Sequence, residues 1–416
     1  MIQVSGKTVA LIDPLWIGHH PMYFGLFAAA FLRSGARVIG LCPNPKAALL
    51  ETLSMMPGEE QHVKQHTHFH FLTTGKRSFF KGRFEGDPLR TFQRWKNASD
   101  TLNDAEADFN QSADFVFFPY LDSYLRFFPF KTIPGHFLDR PWSGLYLRNH
   151  HHAEQPSLKK KLRLLMKGDG ILLSPSCVGI GVLDERIIPH LAAYCGKSVE
   201  IYPDVTYSCL PEKPFPLATE ISTRAGGRKI IGMIGLERRK GLLTLLKTAE
   251  RARKQNLPYY FVCAGFINLN EFSSPEQAWL ISLSEAVAHG EIDNLYFDIH
   301  AGRIPAETDF NSVFSTFDIA WVAYENFQGS SGALGKAAAF EIPCIATAGE
   351  CIGHRVNTYH MGLTLAELDP RKALEAIDQL LAGQDWSGAP LLPDYMGYRE
   401  MHSQQRLDDL VAALLA

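Results

Sequence analysis

Short apolar runs alternate along this chain with longer stretches of helical spacing. Residues 7–13 form a continuous apolar run of the kind found in parallel strands, and residues 22–33 repeat at helical spacing up to a Ser-Gly pair. The next strand is predicted over residues 36–42. This strand–helix–strand order predicts a parallel βαβ unit, whose first loop lies at the sheet edge where open α/β sheets bind ligands.

The same alternation continues to the C-terminus and predicts an α/β protein with two doubly wound, Rossmann-like domains. A length of 416 residues suits two hydrophobic cores rather than one. The predicted division is a first domain over residues 1–205, a Pro- and Gly-containing linker over 206–228, a second domain over 229–390, and a C-terminal helix within 391–416 that packs back on the first domain. Further strands are predicted at 66–72, 114–119, 144–148, 170–174, 199–202, 229–234, 259–264, 295–299, 319–323 and 344–347.

Composition removes several classes of function. A formal net charge of −3 gives no case for a nucleic-acid partner. No apolar run reaches the roughly 18 residues that a membrane span requires, and the first residues do not resemble a signal peptide. The 7 cysteines are scattered and include no CxxC pair, so we expect reduced thiols and a cytoplasmic location.

The stretch from 317 to 349 has the pattern of an anion site. A buried strand is followed by the loop Gly329-Ser330-Ser331-Gly332, and a helix is predicted to begin there. Unpaired amides and the positive end of the helix dipole can hold a phosphate at such a place. An ordinary capped helix would show the same residues, because Ser and Gly are favoured at caps.

A short cationic turn follows the first strand of the predicted second domain. Arg238, Arg239 and Lys240 stand between Gly235 and Gly241, at a strand-to-helix turn. The turn is expected at the same sheet edge as the 329–332 loop, so the two together predict a diphosphate clamp. A solvated charge run is the alternative.

Histidines supply the candidate chemistry of the first half. Gly18, His19 and His20 follow the first strand, where a His can act as general base toward an acceptor hydroxyl. A loop His that only packs or binds backbone is the alternative. His151 follows another predicted strand end, and we interpret it, with His20, as a candidate for acceptor binding.

Two further segments carry weaker signals. His66, His68 and His70 would share one face of a strand and could hold zinc, but no Cys, Asp or Glu lies close in sequence, so we interpret them as a solvated face and assign no metal. Residues 75–84 interleave basic residues with Phe, a composition that suits an exposed loop or a peripheral membrane contact.

The whole pattern resembles the GT-B glycosyltransferases. Two α/β domains of similar size, a basic turn and a small-residue helix start are similar to the large retaining, metal-independent family that includes sucrose synthases and bacterial polysaccharide enzymes. The resemblance spans nearly the whole chain, and its specific part is the second domain. There Arg239, Lys240 and Gly241 look like the family's KG turn, and residues 325–349 look like its donor-binding segment.

This resemblance implies two domains facing a central cleft, and transfer of a sugar from a UDP- or GDP-linked donor to a saccharide, lipid-linked or small-molecule hydroxyl. It implies no cofactor and no metal, and no Asp-x-Asp motif of metal-dependent glycosyltransferases occurs in the sequence. The implied catalytic residues are His19, Arg239 and Lys240. The implied donor-binding residues are Gly18, Arg303, Ile304, Glu325, Gly329, Ser330, Ser331, Gly332 and Lys336.

The chain departs from the family at an acidic pair, where Gln328 and Lys336 occupy the matching positions. Three alternatives therefore stay open. The first is an inverting GT-B transferase with His19 as base, since Gly18 to Met22 look like that branch although its His-Cys-Gly-Trp signature is missing. The second is a nucleotide-sugar epimerase, and the third is a non-catalytic protein that binds a sugar or a partner enzyme.

Overall fold

The computed structural model describes residues 6–73, 88–125, 131–148, 150–151, 158, 162 and 168–416. The 75–84 segment, for which the sequence suggests a membrane contact, lies outside these residues. The chain divides into two units, Met1–Pro203 with Gln404–Ala416, and Asp204–Ser403. None of the described helices combines the length and the apolarity needed to cross a membrane.

A seven-stranded parallel sheet forms the centre of the first unit, in the order β3-β2-β1-β4-β5-β6-β7. β1 pairs with β2 on one side and with β4 on the other, so the direction of the strand order reverses between β1 and β4. The strands are β1 (Thr8–Ile12), β2 (Arg37–Cys42), β3 (Thr67–Phe71), β4 (Phe115–Phe118), β5 (Trp142–Tyr146), β6 (Gly179–Val182) and β7 (Ser198–Ile201).

Helices and short 3-10 turns connect these strands. The final helix belongs to this unit, where Asp408 accepts hydrogen bonds from the Arg33 guanidinium at 2.8 and 3.1 Å. The described helices are His20–Arg33, Pro45–Ser54, Glu60–His66, Pro88–Phe109, Ile133–Phe137, Ile188–Cys195 and Gln404–Leu415, with 3-10 turns at Leu121–Tyr124, Asp169–Leu173 and Glu185–Ile187.

The second unit contains a six-stranded parallel sheet in the order β10-β9-β8-β11-β12-β13. Alternate residues of β8 enter different hydrophobic clusters, with Ile231 and Met233 in one and Ile230 and Ile234 in the other. Both faces of the sheet are therefore covered, which explains the uninterrupted apolar strands. The strands are β8 (Lys229–Leu236), β9 (Tyr259–Ile267), β10 (Leu295–Phe297), β11 (Ile319–Val322), β12 (Cys344–Thr347) and β13 (Gly362–Leu365).

The helices of this unit follow local sequence signals. Ser273 and Glu276 form a capping box at the start of one of them, and Asp369 and Pro370 start another. The helices are Pro216–Ala225, Leu242–Lys254, Ser274–Ala288, Glu307–Phe314, Gly332–Ala339, Cys351–Thr358, Pro370–Leu381 and Tyr395–Met401, with 3-10 turns at Arg238–Lys240 and Leu269–Glu271.

The predicted α/β class with two parallel sheets is confirmed, and the differences concern single elements. The strand predicted at 170–174 is wrong, because these residues form the 3-10 turn Asp169–Leu173. An apolar run this short does not distinguish a strand from a buried helical turn. The predicted linker 206–228 contains the helix Pro216–Ala225, and the single helix predicted within 391–416 is two helices, Tyr395–Met401 and Gln404–Leu415.

Candidate active site

Two turns meet at the carboxyl edge of the second sheet. β8 and β11 are parallel neighbours, and the strand order reverses between them, at the kind of position where α/β sheets bind ligands. The turn Arg238–Lys240 follows β8, and the loop 325–331 follows β11. The Glu325 amide of the loop donates to the Arg239 carbonyl at 2.6 Å, and the indole of Trp321 on β11 donates to the Lys240 carbonyl at 3.2 Å. The cationic turn and the helix start therefore lie on the same edge.

Two glycines make the first of these turns possible. Gly241 has a φ of 74°, and a Cβ there would collide with the carbonyl oxygen of Ala323. Gly235 has a φ of 84°, and a Cβ there would lie 2.6 Å from the Lys240 Nζ. Gly241 allows the turn to approach the backbone of Ala323 after β11, and Gly235 leaves room for the Lys240 ammonium group. The sequence therefore needs Gly at both positions.

Arg239 and Lys240 share one carboxylate. Glu237 accepts from the Arg239 Nε at 2.6 Å and lies 3.3 Å from the Lys240 Nζ. Burial works against the charge of Glu237, but Lys240 and Arg239 together hold its pKa below the ordinary value. The Arg239 guanidinium also lies over the Phe327 ring at 4.6 Å from its centre. The aromatic contact fixes the arginine, and the shared carboxylate leaves this pair with a net positive charge.

Arg238 is committed to protein carboxylates instead. Its guanidinium lies 3.1 Å from Glu276 and 3.5 Å from Glu325. Glu325, a predicted donor-binding residue, is therefore held at the edge of the site through both its side chain and its amide.

The helix Gly332–Ala339 begins beside this turn with Ser331 as its N-cap residue. The Ser331 hydroxyl does not cap the helix but bonds the Tyr324 hydroxyl at 2.9 Å. The Leu334 amide donates to the Ser331 carbonyl at 3.0 Å, but the Gly332 and Ala333 amides before it have no acceptor within the helix, so these two can bind an anion. Gly332 is exposed, and Gly329 and Ser330 are half-buried in the loop before it.

The other predicted donor-side residues occupy different surroundings. Lys336 is buried, and its ammonium donates to Glu307 and to the Tyr207 carbonyl. Burial lowers the pKa of Lys336, and Glu307 opposes this effect. Arg303 is exposed with its guanidinium 5.7 Å from the Phe266 ring centre, and Ile304 packs against a hydrophobic cluster. The Lys336 ammonium group is thus paired within the protein, whereas the Arg303 side chain is accessible to a ligand in solvent.

At the reversal of strand order in the first sheet, the structure forms a buried Asp–His pair. The His20 Nδ1 lies 2.9 and 2.8 Å from the two carboxylate oxygens of Asp13, at the end of β1. The His20 ring stacks on Tyr120, which follows β4, at 4.0 Å between ring centres. Burial raises the pKa of the Asp13 carboxyl, and the bond and charge of His20 oppose that rise. Gly18 and His19 are exposed, and the described residues offer the His19 side chain no cap hydrogen bond.

His151 belongs to a second buried network of the first unit. Asp169 accepts from the Tyr146 hydroxyl at 2.9 Å and from the Arg148 guanidinium at 3.0 Å, and it lies 3.2 Å from ring nitrogens of His150 and His151. Burial opposes its charge, yet these partners lower the pKa of Asp169. His151 is therefore held by a carboxylate within the fold.

Sequence analysis missed Asp13, Tyr120 and Tyr324. Asp13 ends an apolar run, and a charged residue in that position is the one local signal that could have identified it. Tyr120 contacts His20 because β1 and β4 pair in the sheet, whereas Tyr324 contacts Ser331 through the conformation of the loop between them.

No protein-family model matches this sequence, and a search of curated proteins gives no match. Solved structures do match over nearly the whole chain. Sucrose-phosphate synthase from Thermosynechococcus elongatus has 14% identity and a TM-score of 0.64, with 98% of each chain covered. HepE of Anabaena in complex with UDP has 11% identity and a TM-score of 0.61, with 98% of this chain and 99% of that chain covered. A UDP-forming trehalose-phosphate synthase from Burkholderia xenovorans has 14% identity and a TM-score of 0.61, covering 99% and 98%. The chain therefore has the GT-B fold of these glycosyltransferases.

Proposed function

We propose that this protein is a glycosyltransferase that moves a sugar from a nucleoside diphosphate donor to an acceptor hydroxyl. The observation that carries the proposal is the meeting of the Arg238–Lys240 turn and the Gly332–Ala339 helix start at one sheet edge. The leaving group of such a reaction is a nucleoside diphosphate, whose negative charge grows in the transition state. Cations and amides placed at one point are what that charge requires.

Each group has a separate part in this proposal. Lys240, only 18% exposed at its side chain, supplies a partly desolvated charge, whose interaction with a phosphate is stronger than it would be in open water. Arg239 can exchange the Glu237 carboxylate for a phosphate oxygen while remaining over Phe327. The first amides of the helix bind a second phosphate oxygen. In this scheme the clamp needs no divalent ion.

Uracil is the base that we propose for the donor. The HepE structure contains UDP, and the trehalose-phosphate synthase is described as UDP-forming. Arg303 and Ile304, in the loop after β10, are the residues that we place near the base, as the family resemblance implies. A saccharide hydroxyl is the proposed acceptor. Retention of the anomeric configuration is the first of two stereochemical outcomes that we consider.

The donor site is tested by the thermal stability of the full chain with UDP, UMP and uridine. We expect UDP to raise the melting temperature most, because binding to the folded state stabilises it by about 2.7 kcal/mol at a hundredfold excess over Kd. Lys240→Ala should remove most of this rise and slow transfer by about 10²–10³-fold. Lys247→Ala is the control, since Lys247 is exposed on the next helix. Absence of stabilisation by UDP would contradict the proposed donor site and favour a non-catalytic binding protein.

The Asp13–His20 pair favours a second candidate, an inverting transferase. An ionised Asp13 carboxylate only accepts hydrogen bonds, so the neutral His20 tautomer that fits this pair has its proton on Nδ1 and its lone pair on Nε2. That is the tautomer needed by a general base that removes the acceptor proton. The 2.8 Å distance to Asp13 supports His20 in this role, whereas the sequence pattern suggested His19 as the base.

The anomeric configuration of the product separates the two candidates. If the reaction inverts, His20→Ala should slow transfer by about 10²–10⁴-fold, and Asp13→Asn should shift the pH profile of kcat because the tautomer is no longer enforced. His19→Ala is the matched control, one residue away and exposed. A retained configuration with an active His20→Ala variant would exclude the inverting candidate.

A further inference from the structure

Three metal-ligating side chains of the first unit converge away from the proposed transfer site. His68 and His70 share one face of β3, the edge strand of the first sheet. The helix Pro88–Phe109 brings Asp108 to the same place from 38 residues beyond His70 along the chain. One ligand atom from each of the three residues lies within 4.8 Å of the others.

Two observations on the described residues leave room for an ion in this cluster. The His70 Nδ1 and the Asp108 carboxylate are 3.8 Å apart, which is too long for a hydrogen bond. The His68 Nε2 is buried and finds no hydrogen-bond partner among the described residues. Buried polar atoms are satisfied in most proteins, so this one needs an explanation.

Packing orients the cluster and leaves it open on one side. The His68 ring stacks on Phe109, the neighbour of Asp108, at 5.4 Å and 11°. The side chains of His70 and Asp108 are 30% and 62% exposed. An ion can therefore reach the cluster from solvent, and the exposed carboxylate can move toward it.

We propose that His68, His70 and Asp108 bind a divalent transition-metal ion of the zinc class. Two imidazoles and one carboxylate are a ligand set that suits Zn²⁺, whereas Mg²⁺ and Ca²⁺ prefer oxygen ligands. Zn²⁺ binds such ligands at about 2.0–2.2 Å, so its ligand atoms must approach to about 3.3 Å of one another. The bound ion ties the edge strand β3 to the C-terminal end of the helix Pro88–Phe109 and stabilises the first unit. Water completes the coordination.

A neighbouring histidine pair provides an internal control. His62 and His66 lie one turn apart on the helix Glu60–His66, with ring centres 4.4 Å apart, a spacing that can also chelate metal. The His66 Nδ1, however, is 2.9 Å from the His62 carbonyl and is already in use. The two pairs can be separated by mutation because they lie on different elements.

The test is a titration of the metal-stripped full chain with Zn²⁺. Binding is measured by calorimetry and by the rise in melting temperature. We expect one saturable Zn²⁺ per chain. His70→Ala should weaken binding by at least about 100-fold, since loss of outer-shell partners alone costs about 10–100-fold. Asp108→Asn should weaken binding and reduce the zinc-dependent rise in melting temperature, and His62→Ala should change neither.

Both test residues are partly exposed, so the variants are expected to fold, and circular dichroism checks this. Wild-type protein that binds no zinc in a saturable manner would overturn the proposal. So would binding that survives in the His70→Ala and Asp108→Asn variants, or that is lost in His62→Ala alone.

Discussion

At the scale of single residues, two carboxyl groups of the first unit hold their protons differently because their partners differ. Asp122 accepts the Leu147 amide at 3.2 Å, and burial raises its pKa to about 7 although Arg148 lowers it. Asp169 is also buried, but two histidines and Arg148 keep its pKa below the ordinary value. The nearby charge of Asp169 adds to the cost of ionising Asp122. Asp122 therefore keeps its proton to a higher pH than Asp169 does.

Asp122 predicts a pH dependence of stability. Its folded pKa lies above the ordinary 3.8, so the stability that it contributes is present below about pH 4 and is lost as pH rises toward 7. Asp122→Asn cannot ionise and keeps an oxygen for the Leu147 amide. We expect the variant to lose less stability than the wild type between pH 4 and 7, by on the order of 2 kcal/mol. Urea unfolding across this range is the measurement, and parallel curves for the two proteins would contradict the assignment.

At the scale of elements, the end of β8 depends on the conformation of one turn. Gly235 adopts a positive φ and leaves the space that the Lys240 ammonium occupies. The Lys240 carbonyl in turn accepts a hydrogen bond from the Trp321 indole, and the Lys240 Nζ lies 3.4 Å from the Ile234 carbonyl. The backbone of Lys240 thus connects the turn to β11, and its side chain connects the turn to β8.

Gly235→Ala should move the Lys240 ammonium, because the new Cβ would lie 2.6 Å from Nζ. We expect transfer to fall by at least about tenfold, with a backbone cost of about 1 kcal/mol. Gly227→Ala is the matched control: its φ of 82° carries similar strain before the same strand, but its Cβ would meet no atom of the described residues within 4 Å. Equal transfer rates for the two variants would show that the position of Lys240 does not matter.

At the scale of the whole molecule, the two units repeat one arrangement. Each has a parallel sheet whose strand order reverses once, between β1 and β4 in the first and between β8 and β11 in the second. The Asp13–His20 pair lies at the first reversal, and the Arg239–Lys240 turn lies at the second. The candidate metal ligands lie instead on the edge strand β3. Transfer chemistry and metal binding are thus assigned to different strands.

Chelation should therefore leave transfer intact. We expect the rate with EDTA to stay within about twofold of the rate without it, because Arg239 and Lys240 supply the charge that a metal would otherwise supply. Rates are measured well below the melting temperature, so that any loss of zinc-dependent stability does not interfere. A rate that falls on chelation and returns with Mg²⁺ would contradict the cationic clamp.

Sequence patterns identified those parts of the fold whose causes are local. The strands at 229–234 and 319–323 were predictable because both faces of the sheet are covered and the apolar runs are continuous. β6, with the sequence GIGV, was missed because Gly is depleted in strands and leaves a weak signal. Residues 170–174 are apolar because most of them are buried in a 3-10 turn. The spacing of apolar residues does not distinguish such a short turn from a strand.

The chain by itself determined the α/β alternation, the cationic turn at 238–240 and the small-residue helix start at 331–332, since each depends on residues next to one another. Only the tertiary structure decided which side chains meet. In the folded protein His20 contacts Asp13 and stacks on Tyr120. Lys336 is paired with Glu307, and Asp108 lies beside His68 and His70. The physical reason is that such contacts depend on strand order and helix packing, which join residues far apart along the chain.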